Sequence, residues 1–336
     1  MPTTNNELTK DERLAYGQFV HNPTQAYQSH VELAKKLFGT KGVSSGSTNL
    51  DQVMIPTRGP WVRVWVAAQA QGKSTMLRVI AYNAAKKLVR ENLTDKFYIA
   101  HISYEEAIDA QEIYYQMDRQ HTNEDFWRGL VDPQKVVAGG LSRAELPIYW
   151  LGESMSRSEI DSPPMTIELC LAGMRAIYKT EGLLPACIIL DYVQEVEVGP
   201  YVGAQRTERV IHAMKQIMRM GTLTGCAIEL GAQARRTSLS NNPPLPGPDD
   251  LEWAHYVSQK ATNMVGLWRP WTTHKNDEDA RNYGIQIDGA SYNLSPMLTV
   301  ARPLKHRPGL LSQSIPMKVN PDTLEVEDFK GVFAQP

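Results

Sequence analysis

From residue 61 onward, short apolar runs alternate with longer stretches in which apolar residues recur every three or four positions. Runs of the first kind predict strands and stretches of the second kind helices. Trp61 to Ala67 (WVRVWVA) predicts a strand, and Ser74 to Arg90 a helix with Leu77, Ile80, Ala81, Ala84 and Leu88 on one side. Phe97 to Ser103 (FYIAHIS) predicts a second strand, Leu146 to Leu151 a short third, and Met165 to Thr180 a helix. Ala186 to Leu190 (ACIIL) is wholly apolar, as a strand buried on both faces must be, and Asp191 follows it directly. Ala204 to Met220 predicts a helix with Val210, Ala213, Met214, Ile217 and Met218 inward. Ala227 to Ala232 and Met264 to Trp268 predict further strands, and Leu298 to Arg302 and Ile315 to Val319 predict antiparallel hairpin strands at one edge. Such alternation predicts an α/β fold around a mostly parallel sheet.

The N-terminus follows a different rule. Asn22 suits a helix cap, Pro23 the first helical position and Gly39 the stop, and Tyr27, Val31, Ala34 and Phe38 fall on one face between them. Gly42 to Ser47 (GVSSGS) predicts a linker. The expected organisation is a helical arm over residues 1–41 and one α/β domain over 42–336, with no internal repeat.

Composition narrows the function classes. No apolar run approaches the roughly 20 residues that span a bilayer, and Met1 to Lys10 is polar without a signal-peptide pattern. A cytoplasmic protein with no membrane partner is expected. Cys170, Cys187 and Cys226 are scattered in apolar contexts, so they predict buried thiols in a reducing compartment, not a zinc site. The net charge is −2, so any nucleic-acid contact must come from a local basic patch.

The strongest local signal is Ala67 to Thr75 (AAQAQGKST), set between a predicted strand and a predicted helix. That context is what a phosphate-binding loop requires, because the turn and the helix N-terminus aim backbone N–H groups at an anion. Ala70, Gln71, Gly72, Lys73, Ser74 and Thr75 are the expected nucleotide-binding residues. Lys73 would reach the β- and γ-phosphates, and the Ser74 hydroxyl would hold Mg²⁺. Ala67 departs from the usual glycine at the first loop position. A phosphate loop needs a metal-orienting carboxylate at the end of a neighbouring strand, and Asp191 fits that place. Hydrolysis also needs a group that orients water. Glu105 and Glu106, just past the strand ending at Ser103, both qualify. Gln194 and Gln233 stand past strand ends and suit either γ-phosphate sensing or a solvated loop.

These motifs, in this order, resemble the motor domain of the DnaB-type hexameric replicative helicases, which has the RecA-like fold. Gly42 to Asp51 (GVSSGSTNLD) looks like the segment leading into that domain, and Ala67 is what the family tends to carry. Ser103-Tyr104-Glu105 resembles its serine–leucine–glutamate, which favours Glu105 over Glu106. Asp191-Tyr192-Val193-Gln194 resembles its aspartate–tyrosine–leucine–glutamine, and Gly231-Ala232-Gln233 lies where it has serine and glutamine, so Gln233 joins the nucleotide set. Asp250 to Gln259 looks like its segment after the second DNA loop. Lys305-His306-Arg307 resembles its lysine–x–arginine hairpin, whose basic pair reaches the neighbouring subunit's γ-phosphate. An arginine supplied in trans is worth about 10³-fold or more in rate. The family's separate N-terminal helical domain is not expected here, and the arm would take the place of its linker helix, docking through Tyr27, Val31, Ala34 and Phe38.

The resemblance implies two channel loops, roughly residues 195–206 and 234–249. Arg206 and Arg209 in or near the first, and Arg235 and Arg236 opening the second, would hold phosphates of one DNA strand without reading sequence. Tyr201 would stack on a base. Glu195, Glu197, Asp249 and Asp250 lie in the same stretches and weaken that patch. Asn241 to Pro248 (NNPPLPGP) is too proline-rich for a helix. The expected function is an ATP- and Mg²⁺-dependent helicase or translocase motor, assembled as a homohexameric ring on single-stranded DNA with a loader or other partner protein. The alternative is an ATP-switched scaffold, binding DNA or a partner protein in a mobile element, phage or defence system, with little unwinding. A recombinase-like filament would need an N-terminal polymerisation motif that the sequence does not show.

Overall fold

The computed structural model describes residues 9–11, 23–25, 28, 42–115, 122–136, 143, 145–154, 164–199, 205–235, 244–251, 255–306 and 313–329. The chain divides into two compact units, Met1–Lys41 and Gly42–Pro336. In the first, residues 10–11, 23–25 and 28 are helical. The expected docking residues Tyr27, Val31, Ala34 and Phe38 lie outside the described residues.

The larger unit begins with α1 (Thr48–Met54), β1 (Val62–Ala67), α2 (Lys73–Arg90) and β2 (Phe97–Ser103). It continues through α3 (Ile108–Ile113), α4 (Asn123–Trp127), β3 (Ile148–Leu151), α5 (Ile167–Glu181), β4 (Leu184–Asp191), α6 (Arg206–Thr224) and β5 (Ala227–Gln233). The last third holds α7 (His255–Lys260), β6 (Asn263–Trp268), α8 (Pro270–His274), α9 (Glu278–Tyr283), β7 (Ile285–Ile287), β8 (Ala290–Tyr292), β9 (Leu298–His306), β10 (Ile315–Asn320) and β11 (Glu325–Asp328). Nine strands form one sheet in the order β11-β10-β9-β6-β1-β5-β4-β2-β3, and β7 and β8 pair separately. The six strands from β6 to β3 are parallel, and β9, β10 and β11 add on antiparallel.

Side chains alternate across β1, and each face has its own core. Val62, Val64 and Val66 pack with Ile167 and Leu171 of α5 and with Val210, Met214 and Ile217 of α6. Trp65 and Ala67 face the other way, onto Leu77 and Ile80 of α2 and Leu50 and Met54 of α1. One ionic pair sits inside that second layer. Arg63 and Glu229 are register partners on β1 and β5, and both side chains are fully buried. Arg63 Nε donates to Glu229 Oε2 at 2.9 Å, and Trp65 Nε1 donates to the same oxygen at 2.7 Å. Arg63 Nη2 reaches the Val43 carbonyl at 3.2 Å, tying the entry segment to the sheet. The three cysteines are buried free thiols. Among the described residues, no helix is long and apolar enough to cross a membrane.

The structure departs from the sequence expectation in three places. The strand expected to stop at Arg302 runs on to His306. Pro303, which argues against a central strand, is absorbed where the β6–β9 register shifts between Met264 and Val265. Helices α1, α3, α4, α7, α8 and α9 and strands β7, β8 and β11 were not expected, being too short or too polar to show a period. Finally, Asp191 does not stand on the neighbour of the phosphate-loop strand, because β5 lies between β1 and β4.

Candidate functional site

The C-terminal ends of the parallel strands gather on one edge of the sheet, where an open α/β sheet places its ligands. The loop after β1 leads into α2 through Gly72, which caps the helix at φ 89°, a conformation that costs a side chain dearly. Ala70 also takes a left-handed φ of 62°, at about 1–2 kcal/mol for a residue with a Cβ. Local strain of this kind suits a loop that must curl its N–H groups inward. The first-turn N–H groups of α2 have no partner within the helix, and they face a cavity of about 290 Å³. All the expected loop residues, Ala70, Gln71, Gly72, Lys73, Ser74 and Thr75, line it, with Glu105 and Gln233.

Lys73 is the centre of the charge arrangement. Its Nζ lies 2.9 Å from Asp191 Oδ1 and 3.7 Å from Glu105 Oε2. The Tyr192 ring covers a third side, with its centroid 3.5 Å from Nζ. Lys73 crosses β5 to reach Asp191, and Gly231 makes the crossing possible. A Cβ at that position would lie 3.0 Å from Asp191 Oδ1 and 3.1 Å from Lys73 Cδ. Burial pushes the Asp191 carboxyl up, but Lys73, the Ser74 hydroxyl bonded to it and Arg78 together hold it below the ordinary value. Asp191 is therefore an anion beside the Ser74 hydroxyl, which makes these two an oxygen pair suited to a hard divalent ion. Burial raises Glu105, Lys73 opposes the rise, and Asp191 and Glu106 add to it. A half-exposed carboxyl with a raised pKa is more basic than a free one.

The two glutamates of the β2 end have different partners. Glu106 is taken up by Arg78 at 3.0 Å and by Gln111 at 2.9 Å. Arg78 stands one turn past Ser74, donates to Gln111 at 2.8 Å and lies over the Tyr114 ring. The glutamines pair with each other. The Gln194 side chain donates to the Gln233 carbonyl and accepts from the Gln233 N–H, both at 3.0 Å. This pairing fastens the segment after β4 to the tip of β5. Gln194 is neither a solvated loop residue nor part of the cavity lining.

Sequence reasoning missed Arg269. It follows β6, lies over the loop so closely that a Cβ on Gly72 would meet its Cδ at 2.9 Å, and lines the cavity. Its backbone N–H donates to Gln71 Oε1 at 2.9 Å while Gln71 Nε2 donates to Thr272 at 2.7 Å. The loop is thereby pinned to the start of α8. The signal was present, since Arg269 is a charge directly after an apolar strand, the criterion that picked out Asp191.

Of the expected DNA and trans-acting residues, the described ones, Arg206, Arg209, Arg235 and Lys305, do not line the cavity. Arg206 pairs with Glu195 and donates to the Gln194 carbonyl at 3.0 Å. Arg209 pairs with Glu197 at 2.7 Å. Arg235 is exposed just past β5, its N–H bonded to the Asp250 carbonyl. Lys305 lies within β9 and donates to the Ser258 and Gln259 carbonyls at 2.7 and 3.2 Å, near the C-terminal end of α7. Arg236, Arg307 and Tyr201 lie outside the described residues.

No protein-family model matches the chain, and no curated protein matches it. Solved structures do. A DnaB-like replicative helicase, studied with its interactions with primase, is 15% identical with a TM-score of 0.66, over 92% of this chain and 67% of that one. A second solved structure, of a helicase ATPase domain, is 14% identical with a TM-score of 0.69, over 93% of this chain and 100% of that one. At such identities the likeness establishes the fold, and the chain has the RecA-like α/β fold of these ATPase domains.

Proposed function

We propose that this chain is an ATP-driven motor that hydrolyses ATP at the β1–α2 loop and moves along single-stranded DNA as a ring, most simply a hexamer. The observation that carries the reading is Lys73 at the N-terminus of α2, between Asp191 and Glu105. That arrangement is chemically unfinished, with one ammonium shared by two carboxylates beneath the β1–α2 loop. A nucleotide completes it. Lys73 turns from Asp191 to the β- and γ-phosphates, and the freed carboxylate, with the Ser74 hydroxyl, holds Mg²⁺. Mg²⁺ held there would neutralise charge on the phosphates. Glu105 orients the attacking water and accepts its proton, and its raised pKa suits that role. Gln233 faces the γ-phosphate from the tip of β5.

The remaining cation is supplied in trans. Arg307, with Lys305 behind it, reaches the neighbour's γ-phosphate, so each site is complete only between subunits. The Lys305 contacts with the end of α7 then brace the base of that hairpin. Arg206, Arg209, Arg235 and Arg236 hold the strand. A second reading, the ATP-switched scaffold, is favoured by one observation. Arg206 and Arg209 already spend their charge on Glu195 and Glu197, which weakens any strand grip.

The test uses two variants, with ATP binding and turnover measured separately. Lys73→Ala is expected to abolish hydrolysis, and Glu105→Gln to bind ATP without turning it over. Wild-type turnover in Lys73→Ala would remove the phosphate-loop assignment. Loss of binding in Glu105→Gln would make that residue structural.

A further inference from the structure

Four side chains form an unbroken line of contacts from the start of α6 to the phosphate loop. Arg206 pairs with Glu195 Oε1. The Tyr192 hydroxyl donates to the same oxygen at 2.9 Å. The Tyr192 ring then lies against Lys73 Nζ. Glu195 thus joins a guanidinium to a phenol, and the phenol ring is one of the three groups that hold Lys73. The two ends differ in access. The Arg206 side chain is 37% exposed and that of Glu195 41%, while Lys73 is 11% exposed. A long strand meets Arg206 at the surface, whereas Lys73 is reached only from within the nucleotide cavity.

Neither Tyr192 nor Glu195 lines the nucleotide cavity, so hydrolysis alone gives no reason for this line. A phenol also carries no charge that Lys73 needs, with Asp191 and Glu105 already beside it. What the line does supply is a mechanical and electrostatic link. Arg206 is held at two points, the Glu195 carboxylate and the Gln194 carbonyl, so drawing it away must pull on residues 194 and 195 together. Arg209 stands one turn further along α6 in the same guarded state, paired with Glu197.

We propose that Arg206, Glu195 and Tyr192 couple strand binding to the nucleotide site, with Tyr192 acting as the positioning residue for Lys73. This rests on the motor reading above. A phosphodiester strand draws Arg206 outward, and Glu195 and the Gln194 carbonyl, still bonded to it, move with it and draw the Tyr192 hydroxyl along. The ring then leaves Lys73, and the ammonium passes more readily from Asp191 to the phosphates of ATP. The strand is recognised by its phosphates and not its bases, so the coupling is independent of sequence and weakens with salt.

The experiment measures steady-state ATP turnover of the full chain with and without oligothymidylate, and follows oligothymidylate binding by fluorescence anisotropy. Bound oligothymidylate is expected to lower the wild-type KM for ATP at least about fivefold, the low end of typical coupling between sites. Tyr192→Phe keeps the ring and deletes the link to Glu195. Glu195→Gln removes the charge that Arg206 holds. Each is expected to bind the oligonucleotide and turn over ATP with the KM ratio reduced to near one. A wild-type ratio in both variants overturns the proposal. So does a wild type that hydrolyses ATP with a KM indifferent to bound oligonucleotide, which leaves the ATPase reading standing. A wild type that hydrolyses no ATP overturns both.

Discussion

Replacing Gly231 by alanine adds one methyl group to the gap through which Lys73 crosses β5. The new Cβ would sit 3.0 Å from Asp191 Oδ1, 3.0 Å from Leu77 Cδ1 and 3.1 Å from Lys73 Cδ. These approaches are tighter than ordinary van der Waals contact, so each neighbour must give by a few tenths of an ångström. The Leu77 methyl and the Lys73 stem can yield, being side-chain ends, whereas Asp191 is fixed at the end of β4 with 2% of its surface exposed. Overpacking by one methyl costs about 1–3 kcal/mol, and the stiffer unfolded chain returns about 0.4–1 kcal/mol. The net loss is then at most about 2.6 kcal/mol, or roughly 10 °C of melting temperature at about 2–4 °C per kcal/mol. The functional cost is larger, because misplacement of a catalytic group by about 1 Å loses about 100-fold. Gly231→Ala is expected to remain folded at 25 °C and to lose about 10- to 100-fold in ATP turnover. Thermal melting and steady-state turnover on the same sample check this. Turnover at the wild-type level would refute the crossing argument, and turnover that falls only in step with the folded fraction would refute a specific effect on Lys73.

Other expectations follow from the same contacts. His101 is buried against Trp150 and accepts or donates with the Tyr115 hydroxyl at 3.2 Å, and burial lowers its pKa from 6.5 to about 3. A pKa depressed in the folded state gives stability that is fully present above about pH 6.5 and is lost as pH falls toward 3, about 2 kcal/mol of it by pH 5. Urea unfolding at pH 7 and pH 5 should show that loss in the wild type and a smaller one in His101→Phe, and an equal loss in both would contradict the assignment. Glu229→Ala leaves Arg63 charged and unpaired in the core, so it is expected to cost about 3–5 kcal/mol in unfolding free energy. A loss below about 1 kcal/mol would mean that the pair is hydrated. Arg307→Ala is expected to bind nucleotide without turnover, and mixing it with Lys73→Ala should restore activity through sites that combine an intact loop with an intact arginine. Mixed assemblies with no recovery would contradict sites shared between subunits.

The buried parallel strands were legible because burial on both faces forces continuous apolar runs, as in Ala186 to Leu190. The phosphate loop was legible because Gly72-Lys73-Ser74 sits between such a run and an amphipathic helix. Strand order was not. The intrusion of β5 between β1 and β4 is a matter of pairing, which local pattern does not encode, so the need for Gly231 could not be seen from the sequence. That Glu195 and Glu197 weaken the basic patch was legible, but not which arginine each would hold, because the partners lie eleven and twelve residues apart. A fixed helical or strand spacing would have revealed such pairs, and these separations match neither. Pro303 hid the second half of β9 for a related reason, since only the register shift opposite it allows the strand to continue.

The most direct test of the motor account is ATP turnover by the intact chain with and without single-stranded DNA, on material sized by light scattering. The account predicts an assembly of ring size whose turnover rises steeply when DNA is added. Slow turnover that ignores DNA, from a chain that nonetheless binds ATP, would contradict it and leave the switched scaffold in its place.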